Sequence, residues 1–579
     1  MIFTRINEIP VSKSVIATFK GYNHNLRIGT GEFYDMKNMT GDFYPLLSPR
    51  SPRKRYTDTS VQAMVSQNGL CYLENKTLHY ADGKTAELEV SDGKKQLITF
   101  GAYIVVLPDN LWFNTVNAES GLCETAFQSD ITTVGIVWCG ADGTVYETVV
   151  DGTDAPENTQ QIWLDTSAQP PILKKYYEES RAWSEVSPTY LKVISEQIGD
   201  LFEAGNSVSF ECTADQNELT PILGSGVHTI TAKGRDFIVV EGKMNATRME
   251  IHDIQFSVKA QMPLMDFVFE HENRLWGCRY GLNRNGDFVN EIYASKLGDF
   301  KSWSSFSGIS TDSYIASCGT DGKWTGAINA MGYPLFFKEN YLHKVYGSYP
   351  AEYQIQTLPC MGVQEGCADS LAVVGGVLFY KSRSGVCIYD GSLPSLISEA
   401  LGNVSYHDAV AGGLGSKYFI SMQDENQEAQ LFCFDTQKGL WHKEDNANVK
   451  EFCTVGNTLF FNGADGLWAI GDADGTMEGK ISWYAQTGIL GCDEPNHKYL
   501  SSITVRLSLA VGATVRFLAQ YDSCGTWHSL ASITGKHLNS FSIPLRPKRC
   551  DHMCLRIEGL GDAKIYAITL TTEQGSDIR

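Results

Sequence analysis

Apolar and polar residues alternate in short runs along most of the chain, and the runs recur in one form. Aligned on a leading Gly or Asn they read NGLCYLE from Asn68, GAYIVVL from Gly101, NRLWGCR from Asn273, GYPLFFK from Gly332, GGVLFYK from Gly375, GSKYFIS from Gly415 and GNTLFFN from Gly456. Each is followed by a second run, such as TLHYADG from Thr77, GVCIYDG from Gly385 or QLFCFDT from Gln430, and most of these close on Gly or Asp. Apolar runs such as DFVFEHEN, DSLAVVGG and EFCTVGN precede several copies and supply an earlier strand. Strand, tight turn, strand, polar turn, strand is a β-meander: Gly, Asn and Asp reach the positive φ that short hairpins need, and β-branched and aromatic residues fill the strands between. Gly332, Gly375, Gly415 and Gly456 fall 43, 40 and 41 residues apart, close to the roughly 40 to 45 residues of one four-stranded propeller blade. The pattern predicts an all-β chain built on an irregular, seven-bladed β-propeller.

Breaks in the spacing divide the chain further. No copy of the repeat falls in the 172 residues from Gly101 to Asn273, which predicts an insertion, a small β-barrel or sandwich over 130–262. Its segment PILKKYYEESRAWSEV from Pro171 reads as helical. The long step from Asn273 to Gly332 is assigned to a loop at GLNRNGD, 281–287. After about residue 483 the period is lost and long alternating strands predict a C-terminal β-sandwich over 483–579. Residues 1–60 read as an extended arm, leaving 61–129 and 263–482 for the blades.

Composition narrows the function classes. The 579 residues carry 47 Lys+Arg against 67 Asp+Glu, a net charge of -20, which speaks against a protein that wraps duplex DNA through its phosphates. No run approaches the roughly 18 apolar residues of a membrane helix, and MIFTRINEIP has no apolar signal-peptide core, so a soluble chain made in a cytoplasm is expected. The 15 Cys sit in apolar stretches such as GVCIYD and LFCFD and read as buried thiols, not a disulfide scaffold.

Dedicated catalytic signatures are absent: there is no phosphate loop, no G-x-S-x-G and no H-E-x-x-H. AGGLGSKY from Ala411 reads as a hairpin turn. GDADGTME offers Asp472, Asp474 and Glu478 without the full spacing of a calcium loop. Cys550, His552 and Cys554 would share one face of a strand but lack a fourth zinc ligand. Three Trp-bearing turns, GDFKSW from Gly298, TDGKW from Thr320 and DSCGTW from Asp522, have part of the Asp-box form, and a role in covering the sheets explains them without sugar chemistry. No catalytic residue, metal or cofactor is expected, and no enzymatic turnover.

One cluster runs against the overall charge. Arg50, Arg53, Lys54 and Arg55, held extended by Pro49 and Pro52, have little local acid to pair with, and read either as a solvated arm or as an interface for an outside partner.

The NMTGDFYPLLSPRSPR arm, the irregular propeller with its insertion, and the ending YDSCGTWHSL, RPKRCDHMCLRIEGLGDAKIYAITL and EQGSDIR together resemble structural proteins of tailed bacteriophages and prophages of Gram-positive gut bacteria. In propeller organisation the chain is similar to the stabilisation or nozzle proteins of short-tailed phages. That resemblance implies a virion tail protein assembled in the bacterial host cytoplasm. Such a protein forms a cyclic ring with its own copies, below a portal or adaptor, guiding genomic DNA without sequence-specific binding and docking tail fibres. The alternative is a receptor- or carbohydrate-binding tail protein, with Trp527, Tyr521 and Trp483 as stacking candidates. A propeller glycosidase is the third reading.

Overall fold

A computed structural model describes residues 11–81, 83–212, 227–284, 286–306, 308–491, 498–535, 537–544 and 548–574. The signal-peptide reading of MIFTRINEIP and the last residues of EQGSDIR lie outside these. The chain is all-β apart from short 3-10 turns at Pro350–Glu352, Ala368–Ser370 and Glu399–Leu401. No helix among the described residues is long and apolar enough to cross a membrane.

Seven sheets of related form recur among the described residues, six of them with their strands adjacent in chain order. Six are four-stranded, at 63–87, 96–122, 267–317, 326–359, 372–396 and 407–443. The seventh joins Glu451–Val455, Thr458–Gly463 and Gly466–Gly471 to Lys54–Thr57 from the start of the chain. The turn residues read from sequence do what their chemistry allows: Gly332, Gly375, Gly415 and Gly456 take φ of 77°, 61°, 59° and 56°.

The chain divides into two compact units. One comprises Met1–Glu87, Phe337–Leu342 and Pro359–Arg579; the other comprises Leu88–Phe336 and His343–Leu358. In the first, the 407–443 and 451–471 sheets meet through Phe419, Leu431 and Leu459, all buried, with Phe452 against them. The glycine run of AGGLG makes this approach possible. Gly412 and Gly413 lie in the strand His407–Leu414, not in a turn. A Cβ on Gly412 would stand 2.6 Å from the Cβ of Phe452, and one on Gly413 would stand 2.7 Å from Val374 Cγ2 in the 372–396 sheet.

The first unit ends in two sheets that share strands from both ends of the chain. One holds Val11–Ile16 beside Ala563–Gln574, then Lys498–Leu509 and Asn539–Pro544. The other runs from Gly21–Tyr22 and Glu32–Lys37 through Ser482–Thr487 and Met553–Leu560 to Thr514–Tyr521 and His528–Thr534. Ile503, Val505, Phe517, Leu555 and Ile557 are fully buried. Residues 11–60, read from sequence as part of an extended arm, hold six short strands, of which Val11–Ile16, Glu32–Lys37 and Lys54–Thr57 pair with strands from the far end of the sequence.

In the second unit, residues 125–260 build an eight-stranded sheet with a core of its own, including Ile136, Leu191, Val193, Ile238 and Val240. A further sheet at 149–185 adds Ile162, Leu164 and Leu173 to that core. The helical expectation at 171–186 is corrected. Ile172–Tyr177 and Ala182–Glu185 form a hairpin closed by Arg181 at φ 49°, with Tyr176 and Trp183 packed edge to face at 5.6 Å. The cross-strand Tyr176–Trp183 pair and the burial of Leu173 in the core are contacts of the hairpin. The step from Asn273 to Gly332 is taken up chiefly by an excursion over 295–313, pinned by buried Arg274, which donates to the carbonyls of Ser295, Asp312 and Ser310.

Candidate functional site

In the first unit, Val377–Ser382 and Gly385–Tyr389 are joined by the tight turn Arg383–Ser384. Gly385 sits at φ 144°, and a Cβ there would run into Ser398 Oγ. Ser398 Oγ instead closes down on the turn and accepts the Val386 N–H at 2.9 Å. Beyond it the chain makes a 3-10 turn at Glu399–Leu401 and bends at Gly402. The 24–25 segment is tied to this turn by the His24 N–H bond to Ala400 O, 2.8 Å, and the Asn25 Nδ2 bond to Glu399 O, 3.0 Å.

These elements enclose a pocket of about 350 Å³. One of its lining residues is Lys381, which is 3% exposed and donates to Gln364 Oε1 at 2.7 Å and to Ser382 O at 2.6 Å. No carboxylate pairs with this ammonium among the described residues. Burial holds Lys381 below the ordinary lysine range. Arg383 is exposed at the mouth, its nearest acid being Glu339 at 3.6 Å. Ser384, Asn403 and Ser405 line the wall with side chains that make no hydrogen bond among the described residues. Two cations against the one lining carboxylate, Glu399, make the wall locally positive in a chain of net charge -20. Chemically the lining offers hydroxyl and amide groups for hydrogen-bond exchange and a locally positive charge.

The residues singled out from sequence go elsewhere. Arg50 and Arg53 are 6% and 5% exposed, and their partners are in the same chain. Arg50 grips Glu478 with two bonds of 2.7 and 3.0 Å, and Arg53 bonds Glu444 at 2.6 Å and Asp445 at 2.7 Å. Lys54 donates to Ala473 O, and Arg55 donates to Asp465 O and lies over the Trp468 ring. The acids missing locally are supplied from about 400 positions downstream, so the arm's charge is spent inside the fold. Glu478, offered as a calcium ligand, is engaged by Arg50.

Cys550, His552 and Cys554 do not share a strand face. Cys550 pairs with Lys498 in one terminal sheet and Cys554 with Gln520 in the other, because the chain crosses between sheets at 551–552. No group of potential metal ligands forms among the described residues, and the described cysteines are free thiols. Trp483 and Tyr521 are buried core residues, Trp483 donating to Gly561 O at 2.8 Å, which leaves only half-buried Trp527 able to stack on a ligand. Trp303 and Trp324 are buried. Nothing in the linear pattern announced Lys381; the one available signal was a lysine interrupting the apolar run VLFYK.

No family model and no curated protein matches the chain. Among solved structures, an exo-β-1,3-galactanase from Phanerochaete chrysosporium aligns with 52% of this chain and 94% of its own at 9% identity and a TM-score of 0.19. A glycoside hydrolase engineered to display endo-xylanase and exo-arabinofuranosidase activity aligns over 54% and 99%, also at 9% identity and TM-score 0.19. Trypanosoma rangeli sialidase covers 91% of this chain and 95% of its own at 10% identity and TM-score 0.18. At such TM-scores no residue is transferred from them. The expected function as a structural protein of a virion tail is corrected by these findings: the solved structures similar to the chain are glycoside hydrolases.

Proposed function

We propose that this protein binds carbohydrate, and that the pocket over Lys381 takes a sugar residue bearing a carboxylate. The observation that carries the reading is the buried, carboxylate-free Lys381 ammonium beneath a wall of unengaged hydroxyl and amide side chains. An ammonium already desolvated by the fold gains more from an anion than an exposed lysine does, because water no longer screens the pair. Arg383 at the mouth adds a planar donor suited to the same carboxylate.

Titration calorimetry tests it with galacturonate and glucuronate against galactose and glucose. The acidic sugars bind saturably and the neutral ones much more weakly; Arg383→Ala weakens the acidic sugars by roughly tenfold, the worth of one charge-assisted bond. Equal affinity for galactose and galacturonate, or no binding to either, sinks the reading.

We further infer that the recurrent sheets are propeller blades, and that the last takes its fourth strand from Lys54–Thr57. The close approaches at Gly412 and Gly413, which bring the 407–443 sheet against neighbours on both sides, support this arrangement. An experimental structure without radially arranged sheets rejects it.

A further inference from the structure

In the terminal sheets, the turn after Thr514–Tyr521 brings a serine, a histidine and an aspartate into a chain of contacts that no linear motif announces. Ser523 Oγ lies 2.7 Å from His552 Nε2, and His552 Nδ1 lies 3.2 Å from Asp551 Oδ2. With the Nδ1 proton directed at Asp551, Nε2 is left as the acceptor of the Ser523 O–H, which is the general-base arrangement of a serine nucleophile.

The turn is held in place for this. Asp522 and Ser523 both adopt left-handed backbone, φ 50° and 49°, an uncommon conformation for residues with a side chain. The Asp522 N–H donates to His552 O at 3.0 Å, and Asp522 Oδ1 accepts the N–H of Asp551 at 2.7 Å and of His552 at 3.3 Å. The serine turn and the histidine segment are therefore clamped together by backbone and carboxylate, and Ser523 is presented to solvent. His552 also forms part of the wall of a cleft of about 480 Å³ between the two terminal sheets, lined largely by apolar residues including Ile28, Ile489, Leu490 and Met553.

We propose that Ser523, His552 and Asp551 hydrolyse carboxylic esters whose acyl chain enters this cleft. Ser523 Oγ forms a bond to the ester carbonyl carbon as His552 Nε2 takes the hydroxyl proton. The tetrahedral adduct collapses, the carbon–oxygen bond to the alcohol breaks, and His552 returns the proton to the leaving oxygen. Water then attacks the acyl-serine, giving its proton to His552; the bond from the acyl carbon to Ser523 Oγ breaks, Oγ takes that proton back from His552, and the acid departs. Asp551 holds the ring and balances the imidazolium. The proposal is independent of the sugar pocket, since the two sites share no residue.

The full chain is assayed for nitrophenolate release from p-nitrophenyl acetate and butyrate, and separately labelled with a fluorophosphonate probe and mapped by mass spectrometry. The wild type turns over, with butyrate favoured, and carries the probe on Ser523. Ser523→Ala and His552→Gln melt as the wild type does and lose roughly a hundredfold or more in rate, and Ser523→Ala also loses the label. A rate no faster than buffer, a rate unchanged in Ser523→Ala, or a label on another residue such as Cys524 overturns the proposal.

Discussion

Arg53 Nη2 lies 2.6 Å from Glu444 Oε2, across 391 positions of sequence, with both side chains almost wholly buried. Asp445 takes the other terminal nitrogen of the same guanidinium at 2.7 Å. Removing one member of such a set strands the others without water, at a cost of about 3 to 5 kcal/mol. Arg53→Ala and Glu444→Gln each lower the unfolding free energy by about that much in urea titrations of the isolated chain. Replacing Arg50, Arg53, Lys54 and Arg55 together by Ser lowers monomer stability further. A quadruple variant that melts like the wild type shows that these charges contribute nothing to the fold.

The same network sets an acid limit. Burial alone raises the Asp445 and Glu478 carboxyls, but Arg53 and Arg50 outweigh it and hold both below the ordinary range. A carboxylate with a depressed folded pKa adds stability that is present above its unfolded value and lost as pH falls through the folded one. For these two residues the loss falls below about pH 4. Arg53→Ala therefore narrows the gap between stability at pH 5 and at pH 3, read from urea midpoints; an unchanged gap denies the coupling.

His442 acts in a different window. Buried, and set beside Lys417, its ring is pushed down to about 4. It packs against Gly21 and Gly41, where a Cβ would meet the ring. Folded, the ring stays neutral to about pH 4, whereas unfolded it takes a proton below about pH 6.5, so stability is lost between these values on acidification, by about 3 kcal/mol in full. His442→Gln is less stable at pH 7 but shows a flatter profile from pH 6.5 to 4.5. Parallel profiles for the two proteins would show that His442 does not control this window.

Much of the strand-and-turn grammar was legible, because it depends on residues within a few positions of each other. Gly375, Gly415 and Gly456 mark their turns through an absent Cβ, and the apolar runs after them form strands in which Leu378, Ile420 and Leu459 are buried. Pairings across hundreds of residues were not legible. Val11–Ile16 binds Ala563–Gln574, and Arg50 binds Glu478, yet neither segment carries any sign of its partner. Cys550 and Cys554 were misread for a related reason: alternation within one strand says nothing of a crossing from one sheet to another at 551–552. The pocket over Lys381 is assembled from a hairpin turn, a 3-10 turn and the distant Asn25, so no contiguous motif spells it out.

Gly412 tests how tightly neighbouring sheets are drawn together. Its missing side chain leaves room for Phe452 and for Leu459 Cδ1, which a Cβ would approach to 2.9 Å. Adding one methyl to a filled interior costs about 1 to 3 kcal/mol. Gly412→Ala lowers the urea midpoint, and Gly412→Ala with Leu459→Ala recovers part of the loss by freeing space, a non-additivity expected only if the two positions touch. Strictly additive effects would place them apart.

Lys381 separates stability from binding. A buried ammonium held by two neutral acceptors pays a desolvation penalty that an apolar side chain of similar length avoids. Lys381→Met keeps the volume and removes the charge, at the expense of leaving Gln364 Oε1 and Ser382 O each without one donor. Those two orphaned acceptors cost about 1 to 3 kcal/mol each if they stay dry, and much less where water from the adjoining pocket reaches them. Neither Gln364 nor Ser382 lines the pocket, so the variant unfolds more easily than the wild type by an amount on that scale, and its affinity for galacturonate falls by roughly tenfold or more. Lys381→Arg keeps the charge but not the fit of a compact ammonium, and recovers little of that affinity. If Lys381→Met binds galacturonate as the wild type does, the ammonium is a structural strut bridging Gln364 and the 377–389 hairpin, and the pocket takes its ligand without it.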